Sequence, residues 1–460
     1  MKSLVLAEKP SVARDIARVL GCHKNISGAI EGSNYIVTWA LGHLVTLADP
    51  EEYDKKFKAW DMSYLPMVPK KWELVVIKQT SKQYHNVKTQ LFRKDVSEII
   101  IATDAGREGE LVARWILDKS GCHKPIRRLW ISSVTDKAIK EGFAHLKDGR
   151  AYNDLYHAAR SRAEADWLVG INATRALTCK YNAQLSCGRV QTPTLAMIAH
   201  REQQIRSFKP EDYYGLRCTT SVTGGSVGTM ASIVTWTWQQ KKSGSLRSFN
   251  KELITGLDKK LKNQTLTVTD VHTSSKRTPS PGLYDLTELQ RDANKRFGFS
   301  AKETLNIMQS LYEHHKVLTY PRTDSRYIGT DIVPTIKERL KACNIGPYKK
   351  YIPELLKKPL KTSKAFVDDK KVSDHHAIIP TEQFVQLDHM TNEERKIYDM
   401  VVRRFLSVLY PPAVYELVSM EGTAAGETFA ASGRIVKSAG WREVYEGGWQ
   451  DEEEEDSSDK

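Results

Sequence analysis

Two short apolar runs, SLVLA at 3–7 and EIIIAT at 98–103, constrain this chain more than any other feature. Neither alternates polar with apolar residues, so each reads as a strand covered on both faces, the habit of parallel sheets. A polar turn and an amphipathic helix follow each one. After the first come Glu8, Lys9 and Pro10, then a helix expected to be capped by Ser11, with Val12, Ile16, Val19 and Leu20 on one face. After the second comes DAGREGE, leading into a helix at Leu111–Leu117. The segments YIVTWALGHLV at 35–45, IRRLWISS and TDKAIKEGFAHL carry the alternation to about residue 150. An open α/β sheet places its ligands at the C-terminal ends of its strands, and Glu8, Asp104, Glu108 and Glu110 fall there. Carboxylates clustered beside Gly106 and Gly109 suit Mg²⁺, which takes one or two carboxylates plus phosphate oxygens. The plainer reading is an acidic helix start favoured by the macrodipole.

The pattern then changes. Residues 154–208 read as helical, with Trp167, Asn172 and Arg175 along the first helix, and SCGRVQTPT at 186–194 as an irregular loop. Its Arg189, Gln191, Thr192 and Thr194 would suit a phosphate backbone, or the loop is an interhelical turn. Residues 212–239 alternate with period two about a Gly224–Gly225 turn, and TLTVTDVHTS from 265 adds a strand, so a separate β domain is expected. After RTPSPG, helices at 285–296 and 301–312 lead to LTYPRTDSRYI at 318–328. There Pro321 pushes Tyr320 toward the end of a strand, with its phenol reaching a cleft. A phenol with a pKa of about 10 attacks a phosphodiester only if cations stabilise the phenolate, and Arg322, Lys316, His314 and His315 are near in sequence. A Tyr-Pro turn closing a buried strand is the bland alternative. His375 and His376 in SDHHAIIPT read equally as buried structural histidines. A helix at 392–409 and strands at 413–435 return to the β domain, and DEEEEDSSD reads as disordered.

Lys and Arg number 69 against 56 acidic residues, a net charge of +13. Seven acidic residues and one lysine lie in 451–460, so residues 1–450 hold 68 basic against 49 acidic, a net of +19. A basic body points to a polyanion, most commonly nucleic acid. The six cysteines lie far apart, against a zinc module or disulfide framework. No run of about 18 apolar residues offers a membrane span, and a cytoplasmic location is the default expectation.

Taken together, LAEKPS at 6–11, ATDAGREGE at 102–110, ADWLVGINATRA at 165–176, GRVQTPT at 188–194, TYPRTDS at 319–325 and HHAIIPT at 375–381 resemble type IA DNA topoisomerases, and within them the bacterial topoisomerase III branch. The resemblance implies a multidomain α/β and α+β fold: a Toprim domain at 1–150, a helical DNA-binding segment at 151–210, a β gate domain at 211–276 resumed at 386–450, a helical tyrosine domain at 277–385 and an acidic tail at 451–460, in a toroidal, gated enzyme. It implies that Tyr320 forms a 5′-phosphotyrosyl link, with Arg322 beside it and Lys9 at the scissile phosphate. Glu8 and Asp104 would hold Mg²⁺ or assist proton transfer. Trp167, Arg175, Arg189, Gln191 and His375 match DNA-contacting positions, and with them Trp60, Ser186, Cys187, Gly188 and Val190 would meet the strand. The substrate implied is single-stranded or negatively supercoiled, underwound DNA, relaxed or decatenated without ATP, and a Walker-type P-loop is absent from the sequence.

Gly106 stands where many members of that family have Asp. Glu108 or Glu110 is expected to supply the missing oxygen. The chain also ends soon after the returning β strands, and it lacks the cysteine-rich ribbons of the topoisomerase I branch. A DNA-binding or cleavage-only remnant without strand passage, or another Toprim enzyme such as a primase or nuclease, are the rival expectations.

Overall fold

The computed structural model describes residues 1–132, 134–222, 232–241, 243–360, 362–372 and 375–445. The chain divides into two compact units, Met1–Gln203 with Gly282–Val402, and Gln204–Pro281 with Arg403–Lys460.

The first unit is built on a sheet of β1 (Lys2–Ala7), β2 (Lys24–Ile26), β3 (Ala29–Glu31), β4 (Tyr35–Trp39), β7 (Val96–Ala102), β8 (Ile126–Arg128) and β9 (Lys147–Asp148). Between them, β5 (Val45–Leu47) and β6 (Leu74–Val76) form a separate ribbon. The strand order is β2-β3-β4-β1-β7-β8-β9, with β4, β1, β7 and β8 parallel. Both expected strands therefore lie in the middle, and their continuous apolar runs follow from burial on two faces. Leu4, Leu6, Ile99 and Ile101 pack on one side with residues of the helices Ser81–Leu91 and Arg107–Ser120. Val5, Ala7, Ile100 and Ala102 pack on the other with residues of the helices Pro10–Val19 and Asp136–Ala144. Ser11 is not the cap: Lys9 is the extended N-cap residue and Pro10 is first in the helix, where its missing N–H is no loss.

Helices Asn153–Tyr181 and Gln191–Ser207 fill the expected helical stretch. The second starts earlier than GRVQTPT suggested, because Pro193 is tolerated in a first turn. Helices Leu286–Phe297 and Ala301–Glu313 follow Gly282, the latter opened by a Ser300–Glu303 capping box. The tyrosine segment is not a strand. Leu318 pairs with Pro380 in an isolated bridge, flanked by Thr319 N–H to Ile379 O at 3.0 Å and Thr381 N–H to Val317 O at 3.0 Å. Pro321 and Pro380 each lack a donor, so the ladder cannot extend in either direction.

In the second unit β10 (Arg217–Val222), β11 (Ser232–Gln239), β12 (Thr267–Thr278), β13 (Ala413–Ala424) and β14 (Glu427–Ser438) form an antiparallel sheet in the order β10-β11-β14-β13-β12. Trp236, Trp238 and Phe429 pack against Ile254 and Leu257 of the helix Lys251–Leu261, leaving Thr235 and Thr237 on the opposite, polar face. The Gly224–Gly225 turn, Asp374 and the acidic tail lie outside the described residues.

His376 links the tyrosine segment's pairing partner to the sheet. Its Nδ1 lies 2.7 Å from Ala377 O and its Nε2 3.1 Å from Ser132 Oγ. A carbonyl only accepts, so Nδ1 carries the proton and Nε2 accepts from the hydroxyl. Burial pushes this imidazole down to about 4. Unfolded, it takes up a proton near pH 6.5, so between those values the unfolded chain binds more protons and stability falls as pH falls. Denaturant unfolding at pH 5 and pH 7.5 should show a smaller acid loss for His376→Gln than for the native chain; an equal loss would assign the acid sensitivity to other groups.

Candidate active site

β1 and β7 are neighbours in register Ala7↔Ala102, so Glu8 and Asp104 leave adjacent strand ends. Glu8 Oε2 accepts from the Asp104 N–H at 3.0 Å. Burial first, and then the Asp104 carboxylate, push Glu8 up to about 7. Asp104 is raised too, again chiefly by burial, with Lys9 pulling the other way. Lys9 Nζ donates to Glu313 Oε1 at 2.6 Å and stands 3.9 Å from Asp104 Oδ2. A cation held between two carboxylates is thus fixed at the mouth of the pair.

The helix after β7 begins at Arg107, not Leu111, which separates its two acids. Glu108 lies 2.7 Å from His43 Nε2, an interaction that holds its carboxyl below the ordinary range. Glu110 is fully buried, with Arg114 Nε and Arg128 Nε each at 2.9 Å from its oxygens. It cannot supply the oxygen missing at Gly106, because both its oxygens are occupied and turned into the core. Gly109 is required where it stands: a Cβ there would lie 2.0 Å from Asp104 O.

Arg128, also fully buried, donates from Nη1 to Thr103 O at 2.8 Å and Leu129 O at 2.6 Å, and from Nη2 to Asp104 O at 2.8 Å. Its guanidinium lies 5.0 Å from the centre of the Trp130 ring. Trp130 stacks with Tyr152 at 4.9 Å and with His375 at 6.1 Å and 8°, and His375 in turn meets Tyr320 at 4.4 Å. Tyr312 contacts the Tyr320 ring edge-on at 5.5 Å, while Tyr320 N–H donates to Ser132 O at 2.9 Å. The phenol is pushed up by burial and then by Asp104 and Glu8, with Arg322 opposing. His375 is pushed down to about 4 by burial, and next by His376. Glu8, Lys9, Asp104, Glu108, Tyr320, Arg322 and His375 line one cleft of about 960 Å³.

Other expected residues lie elsewhere. Lys316 Nζ pairs with Asp15 at 2.6 Å and His315 Nε2 with Glu394 at 3.1 Å, so the cations at the phenol are Lys9 and Arg322, not these sequence neighbours. Trp167 is half-buried, its indole N–H donating to Ala48 O at 2.9 Å and its ring against Trp72 and Tyr53, so packing already occupies it. Trp60 is 51% exposed, with Arg175 over its ring at 5.1 Å; Arg175, itself buried, donates to Phe57 O at 2.5 Å. Ser186, Arg189, Val190 and Gln191 are exposed, with Arg189 on Asp166 at 2.5 Å. Cys187 and Gly188 are partly buried, and Cys187 N–H donates to Thr174 Oγ1 at 2.9 Å. Sequence reading missed Arg128, Trp130, His43 and Glu313. A charge inside the apolar run IRRLWI was the available signal for Arg128, since a buried guanidinium needs a partner.

The parallel central strands with acids at their ends, facing a half-buried tyrosine, define a Toprim-type site joined to a tyrosine-bearing helical segment. The Toprim domain family matches residues 3–134, and the family described as DNA topoisomerase matches residues 150–459. The chain belongs to the DNA topoisomerase family. It is 61% identical over 452 residues to the DNA topoisomerase 3 of Bacillus cereus (strain ATCC 14579), covering 98% of this chain and 60% of that one. With the DNA topoisomerase 3 of Bacillus subtilis (strain 168) it shares 57% over 459 residues, covering 100% and 62%. It spans about three fifths of the length of these curated relatives. The solved structure of full-length topoisomerase I from Thermotoga maritima superposes with a TM-score of 0.69 at 22% identity, covering 97% of this chain and 68% of that one, which establishes a shared fold.

Replacing Arg128 by Met should destabilise the fold by about 3–5 kcal/mol, because Glu110 keeps its burial and loses a partner. Equilibrium unfolding measures this, and a loss below roughly 1 kcal/mol would mean that the pair does not hold the site.

Proposed function

We propose that the chain carries the chemistry of a type IA, topoisomerase III-like enzyme: cleavage of one DNA strand through a 5′-phosphotyrosine at Tyr320, strand passage and religation without ATP. The observation that carries this reading is the single cleft shared by Tyr320, Glu8, Lys9, Asp104, Arg322 and His375. Tyr320 Oη attacks phosphorus, the bond from phosphorus to the 3′-oxygen breaks, and the 5′-phosphate stays on the tyrosine. Oη gives up its proton and the departing 3′-oxygen gains one. Glu8, pushed up to about 7, is the group in the cleft suited to exchange that proton near neutral pH, while Lys9, despite its burial held charged by Asp104 and Glu313, stays a cation. Reversal by the 3′-hydroxyl restores the strand, and the phosphotyrosine conserves the bond energy.

The residues fit a divalent cation. Two neighbouring carboxylates, both held above their ordinary range by burial and then by a nearby acid, Asp104 for Glu8 and Glu313 for Asp104, are what such an ion relieves. Glu8 and Asp104 would hold Mg²⁺, with Glu108, on His43, at the same cleft. Bound there, it would supply positive charge to the scissile phosphate. Lys9 and Arg322 stabilise the phosphoryl charge, and His375 lies against the nucleophile's ring. Trp60, half-exposed and backed by Arg175, offers a base-stacking platform, and Ser186, Arg189 and Gln191 offer exposed donors for the phosphate backbone. The substrate is single-stranded or negatively supercoiled DNA, which fits the basic body of the chain and a cytoplasmic location. No helix among the described residues is long and apolar enough to cross a membrane.

Labelled single-stranded DNA with Mg²⁺, followed by denaturation and a gel, should give a covalent adduct with the native chain and none with Tyr320→Phe. Lys9→Met should slow its formation about 10²–10³-fold. Tight DNA binding with no adduct from the native chain would overturn the reading.

A further inference from the structure

Two histidines follow one another at 375 and 376, and their rings are fixed by different means. Hydrogen bonds at both nitrogens hold His376, from Nδ1 to Ala377 O and from Ser132 Oγ to Nε2. His375 is 6% exposed and lines the cleft that holds Tyr320, yet its Nε2 is buried without a hydrogen-bond partner. Stacking takes the place of those bonds. The His375 ring meets Tyr320 at 4.4 Å and 36°, and lies nearly parallel to Trp130 at 6.1 Å and 8°, an offset stack. Trp130 is itself fixed from behind. It stacks on Tyr152 at 4.9 Å and 22°, and the Arg128 guanidinium lies 5.0 Å from its ring centre and 6.0 Å from that of Tyr152. Arg128 in turn is tied to Glu110 and four backbone carbonyls.

We propose that Trp130 is a positioning residue for strand cleavage: it sets the plane of the His375 imidazole, keeping that ring against Tyr320 and Nε2 at the wall of the cleft. The inference rests on reading Tyr320 as the nucleophile. The torsion that turns a histidine ring is broad, so the side chain's own preference does not fix the ring plane. A flat, anchored indole does. An aliphatic side chain of similar volume would fill the space and leave the imidazole free to turn. Turning matters here because the ring touches the nucleophile's ring and carries an unpaired nitrogen, a costly arrangement that a substrate group entering the cleft would relieve. Trp130 has no place among the reacting groups in this assignment, and acts only through His375.

The test follows covalent adduct formation by the full chain on labelled single-stranded DNA with Mg²⁺, in single turnover at saturating DNA. Affinity for the same DNA is read separately by fluorescence anisotropy, and folding by circular dichroism. Trp130→Leu should slow adduct formation roughly 10–100-fold at unchanged affinity, the loss expected of a displaced group in a reacting site. Trp130→Phe, which keeps a flat ring, should stay near the native rate. His375→Ala should be slowed at least as much as Trp130→Leu, and adding Trp130→Leu to it should cost nothing further, because the residue acted upon is gone. A double variant slowed by the product of the two single losses would make Trp130 a general support of the fold and overturn the proposal. So would a native rate in Trp130→Leu, a loss confined to DNA affinity, or a Trp130→Phe as slow as Trp130→Leu. If Trp130→Leu does not fold, Trp130→Met, alone and with His375→Ala, decides on the same terms, and failure of both to fold overturns the proposal. No adduct from the native chain would overturn the proposed function, and this inference with it.

Discussion

A guanidinium with no solvent exposure sets the shape of the cleft. Removing Arg128 and Glu110 from water costs several kcal/mol per ion, so the pair is tolerable only because nearly every donor is satisfied. Arg128 reaches Glu110 on one side and the carbonyls of Ile101, Thr103, Asp104 and Leu129 on the other. Those bonds tie the ends of β7 and β8 and the first turn of the following helix into one body. Asp104 therefore has a fixed backbone before any ligand arrives. The same guanidinium lies over Trp130, from which stacked rings run through His375 to Tyr320. Acid and nucleophile are positioned from one buried charge.

Positioned, the groups are nevertheless at odds with one another. Glu8 and Asp104 repel, and both add to the burial that holds Tyr320 in its neutral form. Arg322 opposes this, yet burial is the larger effect, so one exposed guanidinium does not ionise the phenol. Glu8 and Asp104 would, on the proposed function, hold a divalent cation whose charge would offset theirs and so relieve the repulsion on the phenolate. On the proposed function the free protein thus holds an unreactive tyrosine, and the nucleophile becomes competent only with its cofactor and substrate in place.

The central strands were legible in the sequence because two-sided burial writes itself as an unbroken apolar run, as in SLVLA and EIIIAT. Glu8, Asp104, Lys9 and Tyr320 were legible as residues in motifs, and the structure brings them to one cleft. What the motifs could not convey was partnership. Lys316 and His315 are close to Tyr320 in sequence, but a left-handed Lys316 (φ 60) turns the chain, and both pair with other acids. Glu108 and Glu110 look equivalent two residues apart, whereas helical geometry sends one to the cleft and the other to the core. Trp60 and Trp167 were both expected to meet the DNA strand, and only contacts separate the half-exposed ring from the packed one. The expected strand at Tyr320 failed because prolines on both partners stop a ladder that apolar content alone would extend.

That failure has a mechanical consequence. A tyrosine on a strand of the N-terminal sheet itself could leave the acids only by unzipping that sheet, and the tyrosine segment is not part of it. Here the ties between the N-terminal sheet's residues and the tyrosine segment are separate polar contacts: Tyr320 N–H to Ser132 O, His376 to Ser132, Lys9 to Glu313, Lys316 to Asp15, and the exposed pair Lys137–Glu338. Each is an interaction of about 1 kcal/mol that water replaces readily, and exposed pairs contribute less still. The Tyr312 and Tyr320 rings add apolar burial against the sheet's core, and His375 stacks on Trp130. An interface of that kind separates and re-forms without melting either side, which is what passing a strand between the broken ends demands on the proposed function. The nucleophile's support is therefore separable from the acids because separate polar contacts and a few stacked rings, rather than a shared sheet, join the two.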